Sequence, residues 1–410
     1  MSSRTWIAGV GMTAFGVHPD RTNHDLARQA VHDAVADAGG GASLSAVDAA
    51  FYATAAHGFL EGQATISGEI ALRGLGLEGI PVHNVENACA TGASAFNLAA
   101  AYVRAGEADV ALAVGAEKMH VGDPARTMSL FEAGFDVTDR AALERTLVEL
   151  GGELDEPDLG PRSIFMDIYA AMARQHMRLY GSTPEQIAAV AAKNHAHAVD
   201  NERAHYRRSM TVAEVLGARR LSHPLTVPMC APVTDGAAAV VLCSDAGLAR
   251  LRAEHPVEVL ATVLGTGHDR DTTRFEGHLT QGVARRAYER AGLGPDEVDV
   301  AEVHDATAFA EVLQSEMLGL VPPGEGGRAA EAGETTIGGR IPINPSGGLE
   351  SKGHPLGATG LGQVFELTEQ LRGRAGTRQV EGARVALAEN GGGFHRGEEA
   401  VTSVIILRGA

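Results

Sequence analysis

The sequence predicts an α/β protein assembled from two copies of one unit, with an insertion between them. Three observations carry this reading. Short apolar runs of strand length alternate with stretches of helical period, the pattern of a sheet buried on both faces. Two distant segments are near copies, Ala108-Asp109-Val110-Ala111-Leu112-Ala113 and Ala383-Arg384-Val385-Ala386-Leu387-Ala388. Each follows an apolar helix that opens on small residues, Gly92-Ala93-Ser94 in one copy and Gly357-Ala358-Thr359 in the other. From His120 the texture turns acidic and irregular, then helical, which reads as an insertion rather than a further sheet repeat.

The elements follow in order. Thr5 to Val10 is a short apolar run closed by Gly11, and Asn23 to Ala38 repeats apolar residues at helical spacing after a polar cap. Ala49 to Ala55 and Val82 to Val85 read as further buried strands, with Ser67 to Gly76 as a glycine-studded helix between them. A helix opens after Cys89, and Asp109 to Gly115 is a continuous apolar strand of the parallel-sheet type. Asp136 to Gly160 is acidic and irregular, and helical periods follow at Ile164 to Tyr180 and Thr183 to Val199. Pro232 to Cys243 is a turn and a buried strand, and Val298 to Val303 leads through His304-Asp305 into another helix.

The 410 residues suffice for two domains or more, and 44% hydrophobic with 21% charged residues is ordinary for a globular chain. A net charge of -18 excludes binding along a nucleic-acid backbone, while leaving room for a local basic patch serving one small phosphate ligand. The three cysteines show neither metal-ligand spacing nor a disulfide framework, so no metal and a reducing cytoplasm are expected. No apolar run reaches bilayer length. Residues 2–10 lack a secretory cleavage pattern and the last four are no peroxisomal address, so no membrane association is expected.

Cys89 is the first candidate for chemistry. It closes the polar run Val85-Glu86-Asn87-Ala88 at a helix start crowded with small residues, where unpaired N–H groups and the helix dipole lower a thiol's pKa. A buried structural cysteine is the competing reading. In the second copy the residue before the helix is His354, in Gly353-His354-Pro355-Leu356-Gly357. If the copies pack about a pseudo-twofold axis, cysteine meets histidine, the pairing of an activated sulfur nucleophile. A polar residue at a turn is the alternative for His354. His304 and Asp305 sit at a strand-to-helix switch, with Asp305 read as that helix's cap. Arg203, Arg207, Arg208, Arg219 and Arg220 form the densest basic cluster, either a solvated face or a ligand site.

These motifs resemble the thiolase superfamily along nearly the whole chain, most closely its sterol-carrier-protein-2 type. The carrying stretches are Asn87-Ala88-Cys89-Ala90-Thr91-Gly92, Lys193-Asn194-His195, Thr234-Asp235-Gly236-Ala237-Ala238-Ala239, His304-Asp305, Asn344-Pro345-Ser346-Gly347-Gly348 and Ser351 through Gly360. The resemblance implies the thiolase fold, a duplicated five-layer αβαβα arrangement with an inserted loop domain. Residues 1–118 and 224–250 would form the N-terminal half, 119–223 the loop domain on the coenzyme A side, and 251–410 the C-terminal half. It implies an acyltransferase of the acetyl-CoA C-acyltransferase type, with a coenzyme A thioester as substrate and no tightly bound cofactor. Cys89 would carry the acyl group, His354 would activate it, and His304 with His354 would hold the thioester oxygen of a second substrate. The backbone of Cys89 and of a glycine near Gly392 would form another oxyanion hole, and the arginine cluster would take the coenzyme A phosphates. A homodimer or dimer of dimers is implied, and some bacterial and archaeal relatives act beside a zinc-ribbon and OB-fold companion.

Two departures stand out. The residue after His304-Asp305, commonly cysteine in this type, is Ala306, and the C-terminal Cys-x-Gly motif is replaced by Glu389-Asn390-Gly391-Gly392-Gly393. The usual acid/base for the α-proton is thus missing. His395 is the nearest titratable candidate, unless it lies at an exposed hairpin tip. The expected chemistry is acyl transfer with carbon–carbon bond formation or cleavage. Transfer to oxygen, nitrogen or water, or a subunit working with a partner, stands as the alternative, and retention of Cys89, His304 and His354 speaks against a silent subunit.

Overall fold

A computed structural model describes residues 4–39, 44–152, 160 and 162–409. Its strands are β1 (Trp6–Met12), β2 (Ala49–Ala53), β3 (Val82–Val85), β4 (Val110–Glu117), β5 (Arg220–Ser222), β6 (Leu225–Thr226), β7 (Gly236–Cys243), β8 (Val257–Thr266), β9 (Val300–Glu302), β10 (Val385–Gly392) and β11 (Val401–Arg408). Apart from the small β5–β6 hairpin they form one row, β3-β2-β4-β7-β1-β8-β11-β10-β9. The order β2-β4-β7-β1 is mirrored by β9-β10-β11-β8, so the row is two equivalent sheets. They join where Trp6 and Ile7 of β1 face Glu258 and Val257 of β8. The duplication read from the near-identical segments is therefore real, with β4 and β10 as its counterparts.

Alternation along these strands builds the layers. In β4, Ala111 and Ala113 point to the helices Thr91–Ala105 and Thr359–Leu371, against Phe96, Leu361 and Val364. Val110, Leu112 and Val114 point the other way, onto Leu26, Ala30 and Ala34 of the helix Asn23–Asp37. In β10, Ala386 and Ala388 face the same central helices while Val385 and Leu387 cover Leu279 and Val283 of the helix Leu279–Ala291. The result is helix, sheet, paired central helices, sheet, helix. Period-two alternation with apolar residues on both faces is what a sheet sandwiched between helices requires.

The first strand runs past Gly11 instead of ending there. A Cβ at Gly9 would lie 2.2 Å from the Ala34 carbonyl oxygen and one at Gly11 2.3 Å from that of Ala30, so these glycines admit the helix rather than stop the strand. That helix starts at Thr22, whose Oγ1 accepts from Asp25 N while the Asp25 carboxylate accepts from Thr22 N.

The segment between β4 and β5 is largely helical. Asp136 to Gly160, read as irregular, contains the helix Arg140–Gly151, capped by Asp139 and burying Leu143 and Leu150; residues 153–159 of that reading lie outside the described residues. Ile164–Tyr180 starts on Ser163 and stops at Gly181, and Pro184–Ala198 starts on Thr183 with a capping box to Gln186. Their buried faces, with Ile168, Met172, Ile187 and Val190, pack on Phe309 and Leu313 of the helix Ala308–Met317. A helical layer thus covers the ends of the central helices. Among the described residues no helix is long and apolar enough to cross a membrane.

Candidate active site

Cys89 lies in a single 3₁₀ turn, Ala88–Ala90, that feeds the central helix Thr91–Ala105. Ala88 holds φ at 50°, a left-handed conformation costly for a residue with a Cβ. Three short bonds hold it there: Ala88 N donates to Glu86 Oε1 at 2.6 Å, Thr91 Oγ1 donates to the Ala88 carbonyl at 2.6 Å, and Asn87 N donates to Thr91 Oγ1 at 2.8 Å. The sulfur is thereby lifted into a cavity of about 260 Å³.

His354 precedes the other central helix, and the two helix starts touch. A Cβ on Gly92 would come within 2.6 Å of the Gly357 carbonyl oxygen, and one on Gly360 within 2.6 Å of Ala93 N, so only glycine allows this approach. His304, at the C-terminal end of β9, donates its backbone N–H to Glu389 Oε2 at 3.0 Å. The Cys89 sulfur and one ring nitrogen each from His304 and His354 all lie within 4.8 Å of one another. The imidazoles meet edge to face, Nε2 to Nε2 at 3.5 Å.

Hydrogen bonding assigns the His354 tautomer. Its Nδ1 lies 2.6 Å from Thr359 Oγ1, and that hydroxyl donates to the Pro355 carbonyl at 3.1 Å. Thr359 therefore accepts, Nδ1 carries the proton, and the Nε2 lone pair faces the sulfur. Burial, and then the charge of His304, holds His354 well below the ordinary histidine range; burial brings His304 down to about 4. Both rings are neutral near pH 7.

The thiol corrects one expectation. Burial dominates the helix terminus and pushes Cys89 up to about 12, although N–H groups of Gly393 and of Cys89 itself favour the thiolate. The resting sulfur is therefore a thiol beside a base, not a standing thiolate. The donor beside it is Gly393, not Gly392. Gly392 lies inside β10, where a Cβ would strike the Asn87 carbonyl oxygen at 2.5 Å.

Around the catalytic atoms the cavity is apolar, with Met119, Met128, Phe131, Phe165, Met166 and Val233, and Arg162 and Arg219 also line it. The chain matches the family of the thiolase N-terminal domain over residues 5–219 and that of the thiolase C-terminal domain-like segment over residues 267–406. It belongs to the thiolase family. It is 40% identical over 393 residues to an acetyl-CoA acetyltransferase of Methanothermobacter thermautotrophicus, covering 94% of this chain and 96% of that one. It is 38% identical over 403 residues to sterol carrier protein 2 of Bos taurus, covering 95% of this chain and 70% of the relative. Among solved structures, the Ltp2-ChsH2(DUF35) aldolase superposes with a TM-score of 0.78 at 25% identity, over 99% of this chain and 98% of that one. The chain is an acyltransferase of the thiolase family, using coenzyme A thioesters.

Within this thiolase several sequence expectations change. His395 does not reach the site: it is exposed at a hairpin tip bridged to Glu398, beside Asp136 and Asp139, because Gly393 turns the chain outward at φ 63°. Of the five arginines only Arg219 lines the cavity. Arg203 donates to the Met12 carbonyl and lies 4.7 Å over the Phe365 ring. Arg207 donates to the Val199 carbonyl, Arg208 pairs with Glu214, and Arg220 is exposed on β5. Arg162, which also binds Asp167 at 2.9 Å, was missed because it stands alone in sequence.

Asp305 is not the helix cap. Thr307 is, its side chain accepting from Ala310 N. The buried Asp305 carboxylate instead accepts from Leu349 N at 2.8 Å and Asn194 Nδ2 at 3.2 Å, pinning the short helix Gly348–Lys352 that delivers His354. The Lys193-Asn194-His195 stretch serves the same anchoring. Asn194 also donates to Glu311 and Glu350, Lys193 pairs with Glu311, and His195 shares a hydrogen bond with Ser351.

Proposed function

We propose that Cys89 takes an acyl group from an acyl-coenzyme A as a thioester, and that this acyl-enzyme is made or used in carbon–carbon bond cleavage or formation. The convergence of Cys89 with His354 at two touching helix starts carries the reading. His354 Nε2 receives the thiol proton as the sulfur attacks. The N–H groups of Cys89 and Gly393 stabilise the oxyanion that develops on the acyl carbonyl, and His304 with His354 holds the thioester oxygen of the second substrate. Arg162 and Arg219 offer positive charge to the coenzyme A phosphates. Intact-protein mass spectrometry after incubation with acetyl-coenzyme A should show one acyl adduct on the wild type and none on Cys89→Ala; equal labelling of both would sink the reading.

We also propose a homodimer in the reducing cytoplasm, working in some contexts beside a zinc-ribbon and OB-fold companion. Twofold dimers are the commonest closed assembly, and the free edge of β3 lies one short loop from Cys89. Likeness to the Ltp2-ChsH2(DUF35) aldolase supports a companion. A monomeric mass by light scattering at micromolar concentration would refute the dimer.

A further inference from the structure

Carbon–carbon cleavage leaves an electron pair on the α-carbon, and a proton donor must reach it. Ala306 and Glu389 occupy the two places where a thiol would serve. Glu389 is fully buried and binds the His304 backbone, outside the cavity lining. His395 faces solvent. Cys230 lines the cavity, yet its Sγ lies 3.5 Å from the Thr226 carbonyl in the contact that closes a local turn.

Tyr169 differs from all of these. It lies in the middle of the helix Ile164–Tyr180, is only 4% exposed, and lines the same cavity as Cys89, His304 and His354. Helical spacing with Phe165 and Met166, both cavity-lining, puts it on the helix face turned to the site. A buried tyrosine normally engages its hydroxyl. That of Tyr169 makes no hydrogen bond to any described residue, while its neighbours supply an apolar wall.

We infer that Tyr169 is the acid that protonates the α-carbon during cleavage of a 3-oxoacyl-coenzyme A, taking the place of the missing second cysteine. This rests on the acyl-Cys89 reading. As the sulfur adds to the 3-oxo carbonyl, its proton passes to His354 Nε2. The bond between C2 and C3 breaks with its electron pair going to C2, leaving the acyl group on Cys89. The Tyr169 O–H proton goes to C2 and releases the shortened acyl-coenzyme A. The phenoxide recovers a proton from the protonated His354, whose freed Nε2 then takes the thiol proton of incoming coenzyme A as its sulfur attacks the acyl-enzyme. The Cys89 thiolate leaves and recovers its proton from His354, so all groups return to their starting state. Burial, and then the neighbouring Glu399, keeps the phenol protonated far above neutral pH, which suits an acid more than a resting base.

The test uses the full-length protein with acetyl-coenzyme A, acetoacetyl-coenzyme A and coenzyme A as probes. Tyr169→Phe removes one oxygen and keeps the ring. It should be acylated by acetyl-coenzyme A at the wild-type rate, because that thioester exchange needs no carbon acid. Cleavage of acetoacetyl-coenzyme A should fall by about 10²–10⁴-fold, the worth of a positioned acid. Cys230→Ala and His395→Ala should cleave at close to the wild-type rate. Cleavage undiminished in Tyr169→Phe would overturn the assignment, and so would acylation and cleavage lost together, which marks a structural role. Loss confined to Cys230→Ala would give the role to that thiol. A wild-type protein that is never acylated would instead bring down the acyl-Cys89 reading, and one that is acylated yet leaves acetoacetyl-coenzyme A intact would overturn Tyr169 alone.

Discussion

Removing the His354 imidazole should slow acylation of Cys89 by about 10²–10⁴-fold, the usual contribution of a positioned general base. The environment of the sulfur explains the need. Burial pushes the thiol up to about 12, so at pH 7 roughly one molecule in 10⁵ would hold a spontaneous thiolate, at tenfold per unit. Transfer to His354 Nε2 during attack avoids that scarce species. The imidazole is itself held well below its ordinary value of 6.5 by burial and by His304, so acid disables it only well under that pH. Wild-type acylation should therefore vary little between about pH 6.5 and 9. In His354→Ala the thiolate fraction alone sets the rate, which should climb close to tenfold per pH unit below the thiol's own value. Rapid-quench acylation by acetyl-coenzyme A, read by intact-protein mass and paired with circular dichroism to verify folding, measures both quantities. A variant acylated at the wild-type rate, or one whose rate stays flat with pH, would refute the proton-transfer argument.

Two further perturbations probe the junction of the halves. In Gly115→Ala the new Cβ would sit 2.0 Å from the Gly357 carbonyl oxygen, so denaturant unfolding should show a loss of about 1–3 kcal/mol, with slower acylation as the His354 loop is displaced; no change in either would contradict the packing. Glu117→Ala strips the acceptor from the N–H groups of Ala55, Ala56 and Gly357, and each buried orphan costs about 1–3 kcal/mol, so several kcal/mol should be lost. Burial raises the Glu117 carboxyl to about 7 from 4.5. The folded state thus binds the proton more tightly than the unfolded one, and wild-type stability relative to Glu117→Gln should grow as pH falls between those values, by up to about 3 kcal/mol. A constant difference across that range would show that Glu117 does not titrate there.

Much of this was legible in sequence because duplication and period are long-range signals. The repeated strand located β4 and β10, and the matched helix openings brought Cys89 and His354 together without a coordinate. What sequence hid was set by local turns and by contacts across the chain. Gly393 rather than Gly392 faces the sulfur because Gly392 still lies inside the strand. His395 swings into solvent because Gly393 adopts a positive φ. A charge cluster at Arg203 to Arg220 looked like one patch, yet its members spread over a loop, a helix end and a short hairpin. Tyr169 carried no signal at all, since in a helix an aromatic residue among apolar neighbours reads as core.

The contact of Gly92, Gly115 and Gly360 with the opposing backbone also bears on how the thiol-to-imidazole gap tolerates heat and drift. Side chains hop between rotamers, so a spacing set by interdigitated side chains inherits their play. Here the gauge is main chain against main chain, a hard stop with almost no slack. The chain can therefore vary its acyl-facing walls, its surface and much of its loop layer while the distance between the two reacting groups stays calibrated. Innovation in substrate would come from residues such as Phe131, Phe165 and Met166, with the glycines left as the fixed datum.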